Sequence, residues 1–258
     1  MLKKLMKYEF LATGRVFVPL FAALIILSGV NRLLSYLPID APQVIGIIVS
    51  VILMVGIMVL TLILTLQRFR SNLLSSEGHL MMTLPVRTDH LILGKMFTAA
   101  VWGIASFIVV MLSIMIMTAV SFSDIANALR PITDLIPIYG GQMAILVIEA
   151  LIAIIVSLFF GILLVYACMS LSMLVNKRRG LFTFGAFVVI TTALQTVFAI
   201  VFAIFAALDI ADLLSLSSLS TFSQAQVAII FWIVCEVALC VVFYFITRGM
   251  LKNRLNLQ

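Results

Sequence analysis

The chain has 258 residues, of which 64% are hydrophobic and 10% charged, and a formal net charge of +6. A soluble domain carries about 45–50% apolar and about 25% charged residues, and it needs a polar skin that this composition cannot supply. With a mean hydropathy of +1.31, a soluble enzyme, a disordered tail and a secreted disulfide scaffold are excluded. The remaining class is an all-α integral membrane protein, because the apolar runs are too long for barrel strands.

Residues 1–14 open the chain with an amphipathic pattern. Leu2, Leu5, Met6 and Phe10 share one helical face, and Lys3, Lys4 and Lys7 the other. The pattern predicts a helix lying in the cytoplasmic interface, its ammonium groups on anionic lipid heads; the alternative is a frayed, solvated start. No small-residue cleavage pattern comes after it, so this end is expected to stay on the mature protein. Six apolar runs come next, at 16–37, 44–66, 91–120, 143–174, 181–207 and 225–246. Each reaches the roughly 20 residues that cross a bilayer, and together they predict one transmembrane domain over 1–258.

The first run contains Pro19, near one membrane boundary, where a kink is easily accommodated. Between the second and third runs lies the longest inner connection, 67–90. Ser71 or Asn72 is placed to cap a short helix there, Gly78 to end it, and Pro85 to separate it from the third span. Its apolar residues Leu73, Leu74, Leu80 and Met81 either dock on a protein partner or fold back on the bundle. Thr88 caps the third span, with Asp89 in its first turn. The stripe Ala99, Gly103, Ser106 and Ser113 on that span reads as close helix packing.

Glu149 in the fourth span and Glu236 in the sixth are expected to be the only acids inside spans. A charge there costs at least ~2.5 kcal/mol, so such residues face a bundle and often mark a pathway. Glu236 reads equally as a cation- or proton-handling group and as an acid hydrogen-bonded to a neighbouring helix. Glu149, closer to the surface, reads as a vestibule residue. Lys177, Arg178 and Arg179 in the tight turn 175–180 are expected to meet lipid phosphates or a partner. The fifth span carries Thr192, Gln195, Thr196, Ala199 and Ala203 on one face, a packing stripe with a substrate path as the alternative. Cys168, Cys235 and Cys240 lie in apolar runs and read as packing residues.

Basic residues set the orientation. With the N-terminus inside, every Lys and Arg except Arg32 and Arg130 falls on an inner segment, while Asp40, Asp124, Asp134, Asp209 and Asp212 fall outside. This bias predicts N-in and C-in. Tyr36 and Tyr139 are then expected at the outer interface, and Trp102 and Tyr244 toward the inner one. Chemistry-bearing motifs are missing: Gly94-Lys95 is followed by Met96, with Asp89 five residues before Gly94, so there is no Walker A loop. HExxH, GxSxG and GxGxxG are also lacking, which leaves no catalytic constellation, metal site or cofactor site to assign.

The stretch RFRSNLLSSEGHLMMTLPVRTDHLILGK at 68–95 and the opening MLKKLMKYEFLATGRVFVPL at 1–20 resemble the permease subunits of bacterial type-2 ABC exporters. The resemblance extends to six spans with the main inner loop after the second. It implies an amphipathic first helix along the membrane and a coupling helix between spans two and three that docks on a separate ATP-hydrolysing subunit. Carried over, Ser75, Ser76, Glu77, Gly78, His79, Leu80 and Met81 form that docking surface. It further implies two permeases with two such subunits, ATP and Mg held by the partner alone, a short outer helix within 209–224, and a hydrophobic or amphipathic cargo (a peptide, drug or lipid) exported across a bacterial cell membrane. The alternative is an autonomous secondary carrier or channel that uses the intramembrane carboxylates.

Overall fold

The computed structural model describes residues 2–36, 40–74, 88–118, 136–175, 178–207 and 221–254, with 123, 124, 126, 127 and 130 between them. Six long helices account for nearly all of these: α1 (Leu2–Leu34), α2 (Asp40–Leu74), α3 (Thr88–Thr118), α4 (Ile136–Leu171), α5 (Arg179–Ala207) and α6 (Thr221–Arg254), with a 3₁₀ turn at Ser172–Leu174. Each contains a stretch long and apolar enough to cross a bilayer: Met6–Leu34, Pro42–Arg70, Asp89–Thr118, Gly140–Leu174, Arg179–Ile204 and Ser223–Lys252. This fits a multi-pass membrane protein. The chain divides into two compact units, Met1–Pro131 and Ile132–Gln258.

In the first unit α1 and α3 run parallel and α2 runs antiparallel to both. The contacts form a ladder of layers. Glu9 meets Lys95 and Arg68 at one end. Phe17 stacks on Trp102 in the next layer, ring centroids 4.8 Å apart and 17° from parallel. Thr61 pairs with Ser106 at 2.8 Å further along, and Leu24, Met54, Ile57 and Val110 form an apolar core. At the far end Asn31 donates from Nδ2 to Ser50 Oγ at 2.9 Å and to Met117 Sδ at 3.4 Å. About 33 Å of helix separates Glu9 from Asn31, close to the ~30 Å hydrocarbon thickness of a bilayer.

This arrangement corrects several expectations. The opening segment is not a separate interfacial helix, because α1 runs unbroken through Gly14, Arg15 and Pro19. Its inward stripe is the polar one: Glu9, Thr13, Phe17, Leu24, Ser28 and Asn31 are all at least nine-tenths buried, whereas Leu11, Val18, Ile26 and Leu33 are exposed. Lipid is as apolar as a leucine side chain, so polar and small residues drive helices together in a membrane. Three buried hydroxyls donate within their own helices: Thr13 to Glu9 O, Ser28 to Leu24 O and Thr61 to Ile57 O, at 2.7–2.8 Å. With Thr61's proton so used, Ser106 is the donor to Thr61.

Trp102 lies among Phe10, Phe17 and Phe21 of α1. The turns through Leu74 belong to α2 and not to a separately capped helix. Residues 75–87, with the docking residues Ser75 to Met81, lie outside the described residues, as do 209–220. Residues 221–224 open α6.

In the second unit α4 and α6 also run parallel. Gln226 Nε2 donates to Gln142 O at 3.4 Å near one end, Ser157 meets Glu236 midway, and the Phe160 and Phe243 rings lie 5.9 Å apart beyond that. Gly140, at φ 44°, breaks the helical path near the start of α4, in the left-handed region that favours glycine. Tyr166, Ala167, Cys168, Ser170, Thr247 and Leu251 are buried toward the C-terminal ends of α4 and α6. The cysteines are free thiols. α5 offers little to a core. Its stripe of Thr192, Gln195, Thr196 and Ala199 is exposed, so the described residues do not cover it, and α5 meets α6 instead through Phe198 and Trp232, ring centroids 5.5 Å apart.

Gly46 supplies a test of the first unit. A Cβ there would collide with the Asn31 side chain, which is held in place by Ser50 and Met117. Gly46→Ala is expected to displace Asn31 and to cost about 1–3 kcal/mol as an overpacking change. Gly29→Ala on the open side of α1, with nothing within 4 Å, is expected to be neutral or stabilising by up to about 1 kcal/mol. Thermal unfolding in mild detergent compares the two.

Candidate functional site

The sequence offers no catalytic constellation, so the site is sought where charge is buried. The first unit holds one such place. Lys95 Nζ donates to Glu9 Oε1 at 2.7 Å, and Arg68 Nη1 to Glu9 Oε2 at 3.2 Å. The side chains of Lys95, Glu9 and Arg68 are 3%, 9% and 28% exposed. Each sits where its helix puts it. Glu9 lies two turns into α1, Arg68 in the last two turns of α2, and Lys95 two turns into α3. The carboxylate therefore joins both stems of the segment 75–87 to the first helix. Transfer of an ion out of water is costly, and the interaction offsets this only when geometry is good and further hydrogen bonds are made. Here each carboxylate oxygen accepts from a different cation.

Sequence reasoning missed this cluster. An interfacial segment ending at residue 14 would keep Glu9 out of the spans and leave Glu149 and Glu236 as the only acids within them; Glu9 instead belongs to the stretch Met6–Leu34. Lys95 is expected among the inner-facing cations, yet its ammonium is buried against α1. One signal was available. Glu9, Thr13, Ser28 and Asn31 recur at helical spacing with Phe17 and Leu24 between them, a mixed polar stripe that continues straight past residue 14.

The intramembrane candidates divide. Glu236 is 5% exposed, and Ser157 Oγ donates to its Oε1 at 2.9 Å and its Oε2 at 2.7 Å. A hydroxyl has one proton, so the two contacts are one bifurcated interaction. Glu149 has Oε2 buried without a hydrogen-bond partner among the described residues. Gln195 is exposed on α5.

The basic candidates are spread out. Lys3 and Lys4 lie in the first turn of α1, Lys7 is exposed on the same helix, and Lys177 lies outside the described residues. Arg178 is exposed with a φ of 57°. Arg179 Nε donates to Val175 O at 3.3 Å, so it closes the turn before α5. Among the described residues no group of His, Cys, Asp and Glu is placed to hold a metal ion. No family model, curated protein or solved structure matches the chain.

Truncations of the ion cluster should rank by the charge left unpaired. Glu9→Ala, which leaves two cations facing each other, is expected to cost about 3–5 kcal/mol. Arg68→Ala, which leaves a neutral Glu9–Lys95 pair and removes a partly exposed arm, is expected to cost about 1 kcal/mol or less. Unfolding in mild detergent reads the order. In the second unit, Ser157→Ala removes the donor from both Glu236 oxygens and is expected to cost about 1–3 kcal/mol, read the same way.

Proposed function

We propose that this chain is the permease subunit of an ATP-driven exporter, with the segment 75–87 as its docking surface for a separate ATP-hydrolysing subunit. The observation that carries the reading is the tie between that segment's stems and the first helix: Arg68 and Lys95 flank 75–87 and both bind Glu9. A loop joined this firmly to membrane helices suits the transfer of force from a soluble partner. The resemblance of 68–95 to the coupling loop of type-2 ABC exporter permeases supports the same assignment. In this reading the N- and C-termini are cytoplasmic, two permeases pair with two ATP-hydrolysing subunits, and the aliphatic spans carry a hydrophobic or amphipathic cargo across a bacterial cell membrane.

A second reading draws on the second unit. The buried Glu236 and the unpartnered Oε2 of Glu149 suit a secondary carrier that uses carboxylates for coupling. Purification from native membranes in gentle detergent, with mass spectrometry of the proteins that accompany the chain, separates the two. The exporter reading expects a stoichiometric soluble subunit carrying a Walker A motif. It also expects Glu77→Lys and Leu80→Asp to lower ATP hydrolysis by the complex or to release that subunit. The chain purifying alone under several salt and detergent conditions would favour the carrier, and Glu236→Gln should then change transport.

A further inference from the structure

The ion cluster has a property that a static brace does not need. Arg68 and Lys95 are like charges on the two stems of one connection, and they lie 3.2 and 2.7 Å from the two oxygens of one carboxylate. Among the described residues Glu9 is the carboxylate that each of them meets. The stems are therefore held together by a group on a third helix. Withdraw Glu9, and the two cations repel. Spread the stems, and one of the two bonds to Glu9 must lengthen. The Lys95 bond is short and buried, whereas the Arg68 bond is longer and its side chain is the most exposed of the three, so the arm that yields is Arg68. This gives an element with two arrangements, stems closed on Glu9 or α2 released from it, and coupling through such an element is reciprocal.

We propose that Glu9 is the positioning residue that couples the segment 75–87 to the first membrane helix, with Arg68 as the releasable arm and Lys95 as the fixed one. This rests on the docking role proposed above. Movement imposed on the stems by a nucleotide-binding partner is passed to α1 through Glu9, and so to the Phe17–Trp102 stack two turns further in.

The test uses the chain purified together with its ATP-hydrolysing subunit. Hydrogen–deuterium exchange across residues 2–15 is measured with and without the non-hydrolysable analogue AMP-PNP and Mg. In the wild-type complex the analogue is expected to change exchange in this stretch by about fivefold or more, the lower range of coupling between sites. Glu9→Gln and Arg68→Gln should lose most of that change while keeping the partner bound at wild-type stoichiometry. The double change Glu9→Lys with Lys95→Glu moves the bridging carboxylate to α3 and should restore it, which a packing role alone would not do.

Where Glu9→Gln fails to accumulate, Arg68→Gln decides, since it leaves the buried Glu9–Lys95 pair neutral. A wild-type response in both single variants would overturn the proposal and leave the cluster as a brace. A wild-type complex that holds the partner but shows no change in residues 2–15 would overturn the coupling and spare the docking surface. A wild-type chain that carries no ATP-hydrolysing subunit would overturn the docking reading, and this inference with it.

Discussion

An ion taken out of water must be matched, and the first unit is arranged around one such match. Glu9 carries one negative charge between two positive ones on different helices. None of the three residues suits that position by itself. Two turns into its helix, in an apolar setting, each would be costly to bury. Together they fix the register of three helices at one end, because a shift of one residue on any helix turns its charged side chain about 100° away. The aromatic stack, the Thr61–Ser106 pair and the apolar core depend on that register along the bundle.

The opposite end is held by a neutral counterpart. Asn31 reaches Ser50 and Met117, and Gly46 lets α2 approach its amide. The two polar layers lie about one hydrocarbon thickness apart. The first unit is pinned by charge at one end and by an amide at the other, and its strongest electrostatic contact lies beside the connection 75–87.

The second unit is built by different means. α4 and α6 meet through a backbone contact at Gln142, a hydroxyl–carboxylate contact at Ser157 and Glu236, and rings at Phe160 and Phe243. Glu236 there has a hydroxyl for a partner, where Glu9 has two cations. A carboxylate satisfied by one hydroxyl keeps capacity for a further donor or proton, which is the physical basis of the carrier alternative. α5 leaves its polar stripe open and meets α6 through the Phe198 and Trp232 rings.

The sequence by itself determined that six helices long enough for a bilayer would form, near the places where they are found, because transfer of apolar residues out of water is a local, additive quantity that can be summed along the chain. It also showed the small and polar face of α3 at Ser106 and Ser113, since helical spacing is local as well. Tertiary structure decided which acid matters. Nothing adjacent in the sequence singles out Glu9; only the arrival of Lys95 and Arg68 from 86 and 59 positions away makes its burial tolerable. Trp102 is a similar case, since local spacing does not show that three phenylalanines of α1 surround it. The stripe on α5 misleads in the other direction, because small residues permit close packing but do not specify a partner. Periodicity shows which residues share a face; what that face meets depends on where other helices lie, and that is a property of the assembled bundle.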